Sequence, residues 1–175
     1  MTCLIKPTEE ADFRDLHRLL DVIARERQFL AIFQAPPFAQ SQAFYRRVID
    51  NDLCQFVASQ AGSVVGWCDI LPCHGEARAH VGTLGMGVLP QMRGQGIGHR
   101  LIERALDKAL KKGIYRVELN VRSDNTAAIS LYQQFGFQIE GQQRAAYRVG
   151  EKHFDGLTMA RLSGLHSVAD NDEAS

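Results

Sequence analysis

The amino-acid sequence predicts an α+β domain built on a central mixed sheet, and three observations carry that expectation. The first is element order: strand, two helices, three strands, helix, strand, helix, two strands, with an early antiparallel hairpin closed by Gln60-Ala61-Gly62-Ser63. The second is size and composition. A chain of 175 residues with 45% apolar and 23% charged residues can bury a real core as one domain. That domain is expected over residues 1–162, followed by a polar, disordered tail over 163–175. The third is the stretch from Thr83 to Ala109, where a run with strand character stops at Pro90, a basic Gly-rich turn follows, and a helix opens.

Taken in order, Cys3 to Lys6 reads as a short first strand, ended by Pro7. Thr8 to Asp12 carries N-cap and first-turn acid signals for a helix running to about Arg27, with Phe13, Leu16, Leu19, Leu20 and Ile23 as its apolar face. Residues 28–39 are apolar yet broken by Pro36-Pro37. They read as a core-packed connection. Ser41 to Ile49 reads as the second helix, with Ser41 as its cap. Residues 55–59 and 64–71 form the hairpin. The long strand covers 79–89, and the helix after it ends at Lys111-Lys112-Gly113, with basic residues in the last turn and glycine as the stop. A strand over 115–121, a helix over 127–135 and strands over 137–145 and 153–162 close the domain.

Composition excludes several classes. The formal net charge is zero, which argues against general nucleic-acid binding and leaves room for the small patch Arg93, His99 and Arg100. No apolar run approaches the ~18 residues of a membrane span. The first residues carry no signal-peptide pattern, so the expected location is cytoplasmic. Cys3, Cys54, Cys68 and Cys73 show no Cys-x-x-Cys pairing, so free thiols and no metal are expected.

The chemistry concentrates at Val88 to Leu101. A strand, a turn containing Arg93, Gly94, Gln95, Gly96 and Gly98, and a helix beginning near Ile97 present outward N–H groups and a helix N-terminus to a diphosphate. It is not a P-loop, because no Gly-Lys-Ser/Thr closes it, and the third glycine of a Rossmann fingerprint is missing. A second stretch, Val117 to Phe137, combines an alternating strand, Asn125, an Ala-x-x-Leu-Tyr helix ending in Tyr132, and Phe135-Gly136-Phe137.

Together, Gln91-x-x-Gly94-x-Gly96 and this second stretch resemble the GNAT (Gcn5-related N-acetyltransferase) superfamily. The resemblance covers residues 3–162, the N-terminal third only in general pattern. It implies a mostly antiparallel sheet of about seven strands flanked by about four helices, with the fourth and fifth strands splayed into a V-shaped cleft for an acyl thioester. The implied cofactor is acetyl-CoA. Its pyrophosphate would meet the N–H groups from Arg93 to Gly98, and its pantetheine would pair with Met86, Gly87 and Val88 and meet Asn125. Tyr132 would protonate the departing thiolate, and the segment between the first two helices, with Phe33 and Phe38, would form a wall of the substrate groove. From the residues alone, Asn125 is equally an Asx turn or helix cap, and Tyr132 an aromatic on a core face. Dimers are common in the family, so a homodimer is implied, with no interface legible in the sequence.

The amine must also lose a proton. Counting back from Arg93, the place of the glutamate some family members use holds His80, as base or substrate contact. Asp69 and Glu118 are lesser candidates. Asp69 in an apolar strand must be paired or lie at the cleft, where it could hold a cationic amine. The segments around Glu140-Gly141, Phe154-Asp155 and Met159-Ala160-Arg161 resemble the branch holding amino-acid, phosphinothricin-type and ribosomal-protein-modifying acetyltransferases. The expected function is therefore acetyl transfer to the primary amine of a small molecule, an amino acid or related amine, in a ternary complex. The alternatives are acetylation of protein N-termini and a non-catalytic acyl-CoA sensor.

Overall fold

The structure, a computed structural model, describes residues 3–164. Seven strands form one sheet in the order β1-β2-β3-β4-β5-β7-β6. They are β1 (Leu4–Pro7), β2 (Cys54–Gln60), β3 (Ser63–Pro72), β4 (Val81–Val88), β5 (Arg116–Arg122), β6 (Gln138–Val149) and β7 (Lys152–Leu162). Four helices pack on it: α1 (Phe13–Arg25), α2 (Phe38–Asp50), α3 (Ile97–Lys111) and α4 (Thr126–Gln134). Every strand pair is antiparallel except β4 with β5.

Alternation along the strands sends side chains to two different cores. Phe56, Ala58, Cys68 and Ile70 join Leu101, Ile102, Ala105, Leu119 and Met159 in the larger cluster, beneath α3. Val57 and Trp67 face the other way and join Phe13, Leu16, Leu19, Ile23 and Tyr45 beneath α1 and α2. The turn between β2 and β3 places Ala61 and Gly62 at φ 50° and 81°, the hand a two-residue hairpin turn needs.

Several boundaries depart from expectation. A 3-10 turn at Glu10–Asp12 precedes α1. Helix α2 begins at Phe38, behind Pro37 with its preset φ, so Ser41 lies buried inside the helix and is not its cap. The last hairpin is longer than predicted, because β6 continues past a bulge at Ala145 to Val149. Of the predicted tail, residues 165–175 lie outside the described residues.

The pairing of β4 with β5 sets up the site. It covers only Val81↔Arg116, Gly82↔Val117 and Thr83↔Glu118. Beyond Thr83 the strands splay, and β4 runs on to Val88 with no strand on that edge.

Candidate active site

Which backbone groups line the splay follows from the β3–β4 register. Gly66 faces Val88, and the Leu89 N–H donates to the Val65 carbonyl. In an antiparallel ladder such bonded pairs alternate with unbonded ones. Residues 85 and 87 therefore point their N–H and C=O groups at β3, and Met86 and Val88 point theirs into the splay. The Val88 carbonyl is taken by Arg93 Nε at 3.0 Å. The Met86 amide and the Val88 N–H face the cleft.

The chain then enters a 3-10 turn at Pro90–Met92 and the Gly-rich turn. Gly94 and Gly96 adopt φ of 73° and 74°, a region L-residues rarely visit, and a side-chain carbon at either would meet nothing within 4 Å. The result is an open cradle of backbone N–H groups at the start of the fifteen-residue helix α3. Gly98 is tighter: a Cβ there would lie 3.1 Å from Leu131 and from Met86. The Gln95 amide is tied to the Gln91 carbonyl, and Ile97 is buried in the core, so both offer backbone only. Arg93 needs a correction. Its backbone N–H donates to the Pro90 carbonyl and its guanidinium pairs with Glu26, so it braces the turn instead of facing a phosphate.

Across the splay, Asn125 caps α4 by accepting the Ala128 N–H at 3.3 Å. Tyr132 is 7% exposed, against Phe137. Burial pushes its phenol well above the usual value, with the Cys68 and Tyr147 charges adding to the rise.

On the opposite face lies a cavity of about 470 Å³ between α1, α2 and the β3–β4 strands. Leu16, Leu20, Phe44 and Trp67 supply its apolar wall, and Asp69, Gln55 and Gly85 stand at the sheet. Gln55 and Asp69 are opposite one another in the β2–β3 register, and Asp69 opposes Gly85. Gln55 Nε2 donates to Asp69 Oδ2 at 3.2 Å. Burial raises the Asp69 carboxyl to about 6, although bonds from Gln55, Trp67 and the Gly85 N–H pull it back. Tyr45, bonded to Ser41, is pushed up to about 12 by the same burial. Gly85 stands one residue before Met86, so this carboxylate adjoins the open edge of β4.

The structure places Asp69 in the cavity lining and leaves the other expected acceptor residues outside that lining. His80 is the main correction. It is exposed, precedes β4, stacks on Tyr115, and lies six residues from Met86, about 20 Å of extended chain. Glu118 is paired with Arg78 and Arg116. Phe33 is exposed under Arg27, and Phe38 packs on His17 and Arg14; neither lines the cavity. Gln55, Tyr45 and Trp67 went unnoticed as site residues. A glutamine at the head of an apolar strand was the available signal for Gln55. Among the described residues no group of three His, Cys, Asp or Glu side chains could hold a metal.

A splayed β4–β5 pair, a glycine cradle at a helix start and a carboxylate-floored cavity one strand away define an acyl-CoA-dependent acyltransferase. Residues 16–137 match the model of the acetyltransferase (GNAT) family, and the chain belongs to that family. Its cofactor is acetyl-CoA, which the open β4 edge and glycine cradle suit. An L-amino acid N-acetyltransferase, AaaT, of Escherichia coli is 30% identical over 157 residues, 87% of this chain and 94% of the relative. An N-alpha-acetyltransferase, RimI, of Mycobacterium tuberculosis is 38% identical over 107 residues, 61% of this chain and 65% of that protein. A GNAT-family acetyltransferase structure from Streptococcus pneumoniae superposes with a TM-score of 0.86 at 26% identity, over 92% of this chain and 99% of that one. The fold is also that of a phosphinothricin acetyltransferase from Sinorhizobium meliloti in complex with AcCoA. Its TM-score is 0.84 at 18% identity, over 99% of this chain and 95% of that one. Among the described residues, no helix is long and apolar enough to cross a membrane.

Proposed function

We propose that this chain transfers the acetyl group of acetyl-CoA to the primary amine of a small molecule, an amino acid or related amine, by direct attack in a ternary complex. The observation that carries this reading is Asp69, a buried carboxylate in a walled cavity beside the open edge of β4. The cofactor supplies an activated acyl group on a sulfur leaving group. The N–H groups of residues 94–98 hold its diphosphate, and the Met86 amide and the Asn125 side chain hold its arm. The Val88 N–H faces the place where negative charge develops on the acyl oxygen.

Asp69 has two tasks. As a carboxylate it attracts the incoming ammonium, and with a pKa near 6 it is ionised at neutral pH and can accept the amine proton at Oδ. Tyr132 holds the proton needed on the sulfur side, since burial keeps its phenol protonated throughout the neutral range. These roles replace His80 as base.

The mycobacterial relative favours a second reading, acetylation of a protein N-terminus. The small molecule is favoured by the cavity's size of about 470 Å³ and by the apolar side chains set around Asp69. Free-thiol release from acetyl-CoA across amino acids, simple amines and short peptides separates the two. Turnover with small primary amines and none with peptides is the expected result. Turnover confined to peptides would establish the second reading in its place.

A further inference from the structure

The lining of the cavity carries a narrower conclusion, which rests on its being the acceptor site. We propose that the acceptor is a primary amine with an aromatic or branched apolar body and no carboxylate beside the nitrogen.

The Asp69 carboxylate at the sheet points to the ammonium, since it lines the cavity and can only accept. Gln55, only 2% exposed, commits its amide nitrogen to Asp69, and its Oε1 is enclosed by the fold. Gln55 therefore holds the carboxylate in place, and a primary ammonium brings donors for the acceptor positions left on Asp69.

The remaining wall selects the body. Leu16, Leu20, Phe44 and Trp67 face the space beside the uncharged polar side chains Gln40, Ser41 and Tyr45, and at about 470 Å³ it is far larger than a bare amine needs. No Lys, Arg or His side chain is among the lining residues. An α-amino acid would bring its carboxylate within two bonds of the ammonium, against Asp69 and without a cation to pair it, which is costly in a buried site. A polyamine would bury a second positive charge against the apolar wall. An arylalkylamine meets none of these penalties.

Trp67 is the single tryptophan of the chain and lines the cavity, so its fluorescence reports occupancy without turnover. The full chain is titrated with phenethylamine, L-phenylalanine and spermidine, and thiol release from acetyl-CoA is followed with the same three. Phenethylamine is expected to bind at least about ten-fold more tightly than either of the others. Leu20→Phe, which fills the cavity, is expected to weaken phenethylamine more than ethylamine.

L-Phenylalanine binding as tightly as phenethylamine would overturn the inference, and its turnover would leave the small-molecule function standing. If none of the three perturbs Trp67, the cavity is not the acceptor site and the inference falls. Thiol release over the wider panel then judges the function separately.

Discussion

The two faces of the sheet are built from the same strands and do different work. Under α3, the cluster around Leu101, Ile102, Ala105, Leu119 and Met159 is apolar and closed. Under α1 and α2, the cluster around Phe13, Leu16, Val57 and Trp67 stops short, leaving a cavity with the Asp69 carboxylate at the sheet. A filled core maximises stability, whereas a site must give some of it up. On the proposed function, stability rests with the α3 face and acceptor chemistry with the other, with the splayed edge of β4 between them.

Breaking the closed face is expected to have the largest effect on stability. Leu101 is fully buried, so Leu101→Ala is expected to cost about 2–5 kcal/mol, read as a lower denaturant midpoint. Loss of turnover in the fraction that remains folded would contradict the division. Gly96→Val acts at the boundary. A β-branched residue at φ 74° must distort the cradle, and affinity for CoA is expected to fall about ten- to hundred-fold, a coupling of about 1–3 kcal/mol. Calorimetric titration with CoA checks this, and an unchanged Kd would remove the turn from the diphosphate site. Tyr132→Phe is the mildest change, because the ring stays in the core. Turnover is expected to drop at least about ten-fold with CoA affinity nearly constant. A large loss of CoA binding would end the proton-donor assignment.

How far the sequence reached follows the same division. The α3 face was legible because its signals are local: Ile97, Leu101, Ile102, Ala105, Leu106 and Ala109 repeat at helical spacing, and all are buried. The glycine turn was legible because its conformation leaves residue-type marks. The acceptor side was not, because it depends on pairing between distant segments. Asp69 drew notice as a charge in an apolar strand, yet its partner Gln55 is fixed only by the β2–β3 register, and Tyr45 arrives from a helix. Counting residues back from Arg93 led to His80, since a count measures distance along the chain and not which end of a strand faces the cleft. Phe33 and Phe38 followed from the family's habit of walling the groove with the segment between the first two helices. Both lie where arginines cover them, with Phe38 already in the first turn of α2.

On the proposed function, Asp69 is buried for chemistry and not for the fold. Burial raises its pKa from 3.8 to about 6, so the folded state holds the proton more tightly than the unfolded chain does. Its favourable contribution is therefore complete below about pH 4 and lost as pH rises through about 6. At pH 8 the buried charge costs about 3 kcal/mol. Asn in its place carries no charge, and a flip of the Gln55 amide turns the unpaired Oε1 toward the new donor.

The decisive measurement compares wild type with Asp69→Asn at pH 8, recording kcat/KM for the acceptor, CoA affinity and the thermal midpoint on one preparation. kcat/KM is expected to fall about 10²- to 10⁴-fold, CoA affinity to hold and the midpoint to rise. A variant that keeps its turnover, or loses it only because the midpoint collapses, would contradict the claim.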